Sequence, residues 1–136
     1  MEFIHAFQKD DWTKRLSKSQ YLRQKYPGRV PVIVDRSNLQ TPKLSDNRFI
    51  VPLETTIQSS DGQNTTTSMT MGALLHIIRK HMPTLTPEQS IFMFIHEKNM
   101  IPPISATLAH IYTEHQDKSG FLVISVSVES VFGTDS

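Results

Sequence analysis

The most constraining feature of this sequence is a β-branched run, Arg29-Val30-Pro31-Val32-Ile33-Val34-Asp35, which follows Tyr26-Pro27-Gly28. Its composition predicts a strand. Because Val32, Ile33 and Val34 are apolar in succession rather than alternately, we expect both faces of the strand to be covered, as in the middle of a sheet. Pro31 has no backbone N–H to donate, so we place it near the entry of the strand, where the missing donor matters least.

Three more strands are indicated by short apolar runs. Residues 48–53 predict a second strand that forms a hairpin with the first, and Pro52 places this strand at an edge of the sheet. Residues 91–95 predict a third strand. Gly120 ends the preceding segment, and residues 121–128 predict the last strand.

Helices are predicted between and before these strands. Thr70 caps a core helix, and Ser105 caps a second helix. Residues 12–26 predict one or two short helices that lie on the body, with Ser19 as a plausible second N-cap. The apolar positions are Met71, Leu74, Leu75, Ile78 and Met82 in the core helix, Leu108, Ile111 and Tyr112 in the second, and Trp12 and Leu22 in the N-terminal segment.

Residues 55–68 are polar and of low complexity, with Ile57 as their one apolar member. We interpret them as a mobile surface loop. The order of the remaining elements predicts an α+β fold, in which one four-stranded mixed sheet carries two packed helices on one face. The ubiquitin-like β-grasp arrangement has this order, with its first and last strands adjacent and parallel. We expect a helical extension at 1–27, the ubiquitin-like domain at 28–132 and a C-terminal tail at 133–136.

The composition excludes several classes of protein. The 136 residues suit one domain, no apolar run approaches the roughly 20 residues of a membrane span, and no secretory signal is recognisable at the start. The absence of cysteine excludes disulfides and a thiol nucleophile, so we expect a cytosolic protein. Residues 1–29 hold seven Lys or Arg against three Asp or Glu. This basic segment is either a solvated helix face or a contact for an acidic partner.

The signals for an enzyme are weak. No nucleophile elbow, dinucleotide-binding turn or phosphate-binding loop is present. His96-Glu97 resembles the start of a zinc-protease motif, but Met100 stands where the second histidine is required. The segment 114–117 holds an acid and a base without a nucleophile, which favours a solvated helix end. Two histidine pairs are five residues apart, a spacing that turns the rings to different sides of a helix, namely His76 with His81 and His110 with His115.

Binding by strand addition is better supported. A strand at a sheet edge offers unpaired backbone groups to an extended peptide, and its apolar neighbours supply side-chain pockets. Phe49, Ile50 and Val51 alternate across the second strand, so at least one of them faces away from the helices. The residues alone leave open whether all three pack in the core or whether some of them line a binding site.

Seven blocks stand in one order over nearly the whole chain: Lys25-Tyr26-Pro27-Gly28-Arg29-Val30-Pro31-Val32-Ile33-Val34, Phe49-Ile50-Val51-Pro52, Ile78-Arg79-Lys80, Ile101-Pro102-Pro103, Ile111-Tyr112-Thr113-Glu114-His115, Gly120-Phe121-Leu122 and Glu129-Ser130-Val131-Phe132-Gly133. Together they resemble the autophagy ubiquitin-like modifiers of the GABARAP and microtubule-associated-protein light-chain-three group.

The resemblance implies a ubiquitin-like body with two N-terminal helices, and a precursor that a cysteine protease cuts after its terminal glycine. The matching glycine is Gly133, between Phe132 and Thr134, so residues 134–136 would be removed. An ATP-using activating enzyme and thioester-carrying conjugating enzymes would then join Gly133 to phosphatidylethanolamine. Glycine has no side chain to obstruct the narrow thiol sites of such enzymes.

The resemblance also implies that the second strand captures partner peptides of the form aromatic-x-x-aliphatic. Arg48 would flank this strand and favour acidic residues in the peptide. The aromatic pocket would draw on Leu22, Pro31, Ile33, Ile50 and Phe121, and the aliphatic pocket on Phe49, Val51, Pro52, Leu74 and Ile77.

Three features depart from the family that the chain resembles. Lys18 stands where many relatives carry an acidic residue, and His81 stands where they usually carry arginine, so both would alter which peptides bind. His81 would also make binding sensitive to pH. The segment 55–68 is longer than in the relatives and lies beside the aliphatic pocket.

The expected function is that of a cytosolic modifier, monomeric in solution, which is not itself an enzyme and needs no cofactor or nucleic acid. It would become bound to the autophagosomal membrane through Gly133 and recruit cargo receptors and adaptors. One alternative is a non-conjugated binding module that uses the same groove and keeps its tail. Another is an enzyme that uses Glu114 and His115.

Overall fold

The structure is a computed structural model that describes residues 12–96, 98 and 100–129. Within these residues the chain forms three helices and six strands. In chain order they are α1 (Trp12–Lys25), β1 (Arg29–Arg36), β2 (Arg48–Pro52), β3 (Glu54–Gln58), β4 (Asn64–Ser68), α2 (Met71–Lys80), β5 (Ile91–Ile95), α3 (Leu108–His115) and β6 (Leu122–Val128).

Four strands form one mixed sheet in the order β2-β1-β6-β5. β1 pairs antiparallel with β2 and parallel with β6, and β6 pairs antiparallel with β5. The first and last strands of this sheet are therefore adjacent and parallel in its middle, which confirms the expected β-grasp order. β2 lies at an edge, as Pro52 predicted.

Both faces of β1 are covered, which explains its unbroken apolar run. Val30, Val32 and Val34 lie on the inner face, where they pack with buried residues of α2 and α3 in the main core. Ile33 lies on the outer face and packs in a smaller cluster with Leu22 of α1. The two packed helices thus share one face, as expected, and α1 covers part of the other.

The two body helices begin at threonines. The Thr70 hydroxyl accepts a hydrogen bond from the Ala73 N–H at 3.1 Å, which confirms the predicted cap of α2. The predicted cap of α3 at Ser105 is wrong, because the Thr107 hydroxyl accepts from the His110 N–H instead, at 3.2 Å. The residues before Thr107 bond to the start of α2 instead. The carbonyls of residues 104 and 106 accept hydrogen bonds from the N–H groups of residues 72 and 71.

The N-terminal segment also differs from its prediction. Residues 12–25 form one continuous helix, so Ser19 is not a second N-cap. Its hydroxyl donates to the backbone carbonyl of Ser119 at 2.5 Å and is also 2.9 Å from the carbonyl of Leu16. Ser19 therefore ties α1 to the turn before β6. Residues 1–11, where a further N-terminal helix would lie, are outside the described residues.

The prediction of a loop at residues 55–68 is wrong, because most of this segment forms the two strands β3 and β4. β3 and β4 pair antiparallel and form a separate two-stranded sheet. All ten strand residues are exposed, so the expected surface position is confirmed. With no buried face there is no alternation of apolar and polar residues to detect, although the many threonines favour strand.

The turn of this hairpin is organised by Asp61. Its carboxylate accepts hydrogen bonds from the Ser59 hydroxyl and from the Gln63 N–H, the latter at 3.1 Å. These bonds, the one from Ser59 first, hold the pKa of Asp61 below its usual value. Gly62 supplies the positive φ of 88° at the tip.

Gly120→Ala is expected to weaken the attachment of α1. Gly120 has a φ of 86°, and a Cβ there would lie 2.5 Å from Ser19 Oγ. Gly28 has a similar φ of 81° but no atom within 4 Å of an added Cβ, so Gly28→Ala is the matched control. Both variants carry a backbone cost of about 1–2 kcal/mol, and Gly120→Ala adds about 1–3 kcal/mol of overpacking. Equal losses in urea unfolding would contradict this close packing.

Candidate functional site

The free edge of β2 is the centre of the candidate site. β2 uses its other edge to pair with β1, with Ile50 opposite Pro31 and Phe49 opposite Val32. Directly opposed residues share a face of the sheet, so Ile50 lies on the outer face and Phe49 on the inner face. In the described part of the chain no strand pairs with the other edge of β2. The free edge is therefore flanked by apolar residues on both faces.

The predicted aromatic pocket is assembled on the outer face. Ile33 and Phe121 are 0% and 4% exposed and form its buried floor with Leu22 packed against them. Leu22 and Ile50 are half-buried, so they carry the accessible apolar surface, while Pro31 is buried. The structure thus brings these predicted residues to one side of the sheet, between α1 and β2.

Arg48 supplies a positive charge beside this pocket. It lies opposite Ile33, hence on the outer face, and its side chain is exposed. Among the described residues it forms no ion pair. Its guanidinium is therefore available to an acidic group of a partner, as the sequence predicted.

The predicted aliphatic pocket lies on the inner face, and two of its five residues belong to the core. Val51 and Leu74 are 3% and 0% exposed, so they support the site from below and offer almost no surface to a ligand. Phe49 and Ile77 are half-buried and pack against the same core. The accessible apolar surface on this side therefore comes from Phe49 and Ile77. The half-buried Pro52 pairs with Arg29, so it lies on the outer face with Ile50.

His81 holds Phe49 in place at the end of α2. The two rings meet edge to face, with centroids 5.0 Å apart and planes at 80°. The His81 Nδ1 atom lies 3.6 Å from Asp46 Oδ2 and 3.3 Å from Ser45 Oγ. His81, which was predicted to depart from the arginine of the relatives, thus contacts Phe49 of the predicted aliphatic pocket. Lys18, the other departure, is exposed one helical turn before Leu22.

Contacts at both ends of α1 position Leu22 over the sheet. The Arg23 guanidinium lies 5.1 Å from the centroid of the Tyr112 ring, and Lys118 Nζ lies 4.9 Å from the Trp12 ring. The Tyr112 hydroxyl donates to the Gly120 carbonyl at 2.6 Å. Burial raises the pKa of Tyr112, and the nearby Arg23 charge partly opposes this.

The exposed side of α1 carries basic residues. A hydrogen bond with the Tyr21 side chain is the main reason that the pKa of Lys25 lies above its usual value. Lys14, Lys18 and Lys25 are all exposed. This placement fits a solvated helix face, and a contact with an acidic partner stays a prediction.

The acid and the base of the enzyme alternative lie at the C-terminal end of α3. Glu114 is exposed, and His115 Nδ1 accepts a hydrogen bond from Lys98 Nζ at 3.0 Å. Among the described residues no three His, Cys, Asp or Glu side chains could together hold a metal ion. The helices within that same part of the chain are too short or too polar to cross a membrane.

Sequence reasoning missed a cleft of about 540 Å³ beside the hairpin. It lies between the turn at 27–29, one face of β3 and β4, and Ala109 of α3. Arg29 and Glu54 are the charged residues among those that line it. No signal in the sequence predicted it, because the hairpin that forms one wall was interpreted as a loop. The predicted processing residues Phe132, Gly133 and Thr134 lie outside the described residues.

Within the described residues, the fold and the site define a ubiquitin-like protein in which one edge of β2 is unpaired and lies between two apolar sites. Comparison with known proteins gives the family. The family model described as "Autophagy protein Atg8 ubiquitin like" matches residues 64–133. Autophagy-related protein 8 of Schizosaccharomyces pombe is 37% identical over 131 residues, which cover 93% of each chain. Autophagy-related protein 8d of Arabidopsis thaliana is 36% identical over 121 residues, covering 88% of this chain and 87% of that protein.

A solved structure agrees with these relatives. The crystal structure of Trypanosoma brucei ATG8 superposes with a TM-score of 0.73 at 26% sequence identity, covering 93% of this chain and 95% of that one. The present chain belongs to the Atg8 family of ubiquitin-like autophagy proteins, the group that includes GABARAP and the microtubule-associated-protein light chain three. Proteins of this family act in general as modifiers rather than as enzymes.

Proposed function

We propose that this chain is a ubiquitin-like modifier of autophagy, not itself an enzyme, that is cleaved after Gly133 and joined to phosphatidylethanolamine. Family membership and the sequence Phe132-Gly133-Thr134 support this proposal. A cysteine protease hydrolyses the peptide bond after Gly133 and frees its carboxylate. ATP-dependent activation converts that carboxylate to a thioester on the carrier enzymes. The lipid amine then displaces the thiol and forms an amide.

The second part of the proposed function is recruitment of cargo receptors and adaptors by the free edge of β2. The observation that carries it is an unpaired edge strand with accessible apolar surface on both of its faces. A partner peptide adds to this edge as a further strand. Its aromatic side chain packs on Leu22 and Ile50, and its aliphatic side chain, three residues later, packs on Phe49 and Ile77. The free modifier is cytoplasmic, and the conjugate lies on the autophagosomal membrane.

Mass spectrometry of the protein isolated from its own cells tests the conjugation. We expect a form that has lost residues 134–136 and a second form that also carries phosphatidylethanolamine on Gly133. Gly133→Ala is expected to abolish the lipid-bound form, since a side chain obstructs the narrow thiol sites through which the terminus passes.

The matched control is Gly28→Ala, which also replaces a glycine but lies far from the C-terminus in the sequence. This variant is expected to be processed and conjugated like the unmodified protein. A protein that keeps Ser136 in every form would refute the proposed conjugation. It would favour a binding module that uses the same groove and retains its tail.

A further inference from the structure

The β3 and β4 strands of the hairpin pair with each other, and in the described part of the chain neither pairs with any further strand. Their composition nevertheless favours strand pairing. Six of the ten strand residues are β-branched, namely Thr55, Thr56, Ile57, Thr65, Thr66 and Thr67. Proteins usually protect free strand edges with charges, prolines or bulges. Here Glu54 is the only charged residue in the two strands, and neither strand contains proline. The hairpin thus offers strand edges without this protection.

The hydrogen bonds of β2 show which of its backbone groups face its free edge. Asn47 accepts from the Val34 N–H at 2.8 Å, and the Leu53 N–H donates to Gly28 at 2.9 Å. Both bonds join directly opposed residues, and in an antiparallel ladder such bonded pairs alternate with non-bonded pairs. The odd-numbered residues 47–53 therefore bond to β1. The backbone groups of residues 48, 50 and 52 point away from the sheet.

The same alternation continues into β3 without a slip. The Met69 N–H donates to the Leu53 carbonyl at 2.8 Å, and the Ser59 N–H donates to the Gln63 carbonyl at 2.8 Å. Odd-numbered residues of β3 therefore bond to β4, and the backbone groups of residues 54, 56 and 58 point outward. Leu53 lies between β2 and β3 and bonds with both neighbours. Its N–H donates to the Gly28 carbonyl just before β1, and its carbonyl accepts from the Met69 N–H just after β4. The outward groups of β2 and β3 thus alternate in one series along the chain, with a bend at Leu53 where the chain passes from one sheet to the other.

We infer that β3 lengthens the peptide-binding edge of β2, so that the site takes an extended peptide that continues past its aliphatic residue and pairs with β3. This inference rests on the proposed function of the β2 edge. A four-residue motif spans roughly 13 Å, whereas the edge from Arg48 to Gln58 spans at most roughly 33 Å. The short motif therefore leaves more than half of this edge unused.

The side chains along the edge indicate the chemistry of the partner. Arg48 at the start favours acidic residues before the aromatic position, whereas Glu54 favours a basic residue after the aliphatic position. Ile57, which is 58% exposed, favours an apolar or β-branched residue opposite it. Pro52 lacks an outward N–H, so the peptide makes one bond fewer where it passes from β2 to β3. The expected partner is an acidic aromatic-x-x-aliphatic segment followed by a β-prone, basic segment.

The inference takes the peptide to run parallel to β2. Its aromatic residue then lies at Ile50, opposite Pro31, and its aliphatic residue lies further along β2, towards Pro52. The C-terminal continuation of an aromatic-x-x-aliphatic peptide in this direction is the part that reaches β3. A second copy of this chain is the other occupant that such an edge admits, and the experiment separates the two.

The test compares two synthetic peptides on the full-length protein by calorimetry. The short peptide is Glu-Glu-Trp-Thr-Ser-Leu, and the long peptide adds Thr-Lys-Val-Thr-Val-Ser at its C-terminus. Two or three added main-chain bonds and the Lys–Glu54 pair are expected to make the long peptide bind roughly tenfold tighter. Thr56→Pro removes one outward N–H and spares the bonds to β4, so it is expected to reduce this advantage roughly fivefold.

Thr66→Pro is the matched control. Thr66 stands opposite Thr56, so its N–H points to the other edge of the hairpin, and the advantage of the long peptide is expected to persist. Hydrogen exchange of the unmodified protein gives a second test, which does not depend on how the variants fold. The long peptide, but not the short one, is expected to slow hydrogen exchange at the Glu54 and Thr56 amides.

The outcomes separate the inference from the function on which it rests. If both peptides bind with equal affinity and the two amides stay unprotected, the extended edge is refuted and the proposed function stands. If neither peptide binds, both are refuted. Protection of the Glu54 and Thr56 amides that rises with protein concentration in the absence of peptide would overturn the inference in favour of self-association through the hairpin.

Discussion

Ile50→Arg is expected to reduce the affinity for a short aromatic-x-x-aliphatic peptide about 30- to 100-fold while leaving the protein folded. Ile50 contributes accessible apolar surface on the outer face, next to Leu22 and opposite Pro31. An arginine there replaces an apolar contact by a charge that the bound aromatic ring would have to desolvate, a loss of about 2–3 kcal/mol. Calorimetry measures the affinity, and circular dichroism confirms the fold.

Two further variants define what this result means. Ile57→Arg introduces the same change at an exposed position of the hairpin and is expected to leave the affinity for the short peptide unchanged. Val51→Arg, one residue along β2, places the charge in the main core and is expected to unfold the protein. An unfolded Ile50→Arg would show that Ile50 belongs to the core, and unchanged binding by a folded variant would exclude the outer-face pocket.

Leu74→Ala is expected to lower the free energy of unfolding by about 2–5 kcal/mol, since its side chain is fully buried and its truncation leaves a cavity. Ile77→Ala, in the same helix, is expected to cost about 1 kcal/mol of stability, because Ile77 is half-buried. The same variant is expected to weaken peptide binding roughly tenfold by removing accessible surface of the aliphatic site. Urea unfolding and calorimetry together measure both quantities.

The comparison between these two residues tests the division between core and site. A Leu74→Ala variant that keeps its stability but loses affinity for the peptide would show that Leu74 lines the pocket directly. An Ile77→Ala variant that loses stability like Leu74→Ala and still binds the peptide would place Ile77 in the core. Either result would contradict the assignment of accessible surface to Ile77.

The elements that sequence reasoning predicted well are those that bury apolar residues in a regular pattern. β1, β5 and β6 lie within one residue of their predicted bounds, and α2 begins as predicted but ends at Lys80, two residues before Met82. The hairpin was missed because neither face of it is buried, so its strands lack the pattern that marks strands elsewhere. The α3 cap was misplaced by two residues, because both Ser105 and Thr107 are good caps and tertiary hydrogen bonds decide between them.

The residues of the candidate site came from resemblance to a family rather than from pattern. Pattern left open which of Phe49, Ile50 and Val51 pack in the core. The pairing of β2 with β1 decides this, because it turns Ile50 outward and Val51 inward. Leu74 and Ile77 differ in the same way, since only the position of α2 over the sheet determines which helix face is covered.

By itself the sequence determined that residues 29–35 form a strand covered on both faces, because seven consecutive residues rich in branched side chains admit little else. It also placed β2 at an edge, since Pro52 cannot donate to a second neighbour. Only the tertiary structure decided that the unpaired edge of β2 continues into β3. That continuity depends on the hydrogen bonds of Leu53 to Gly28 and Met69, which come from distant parts of the chain and leave no local pattern in the sequence.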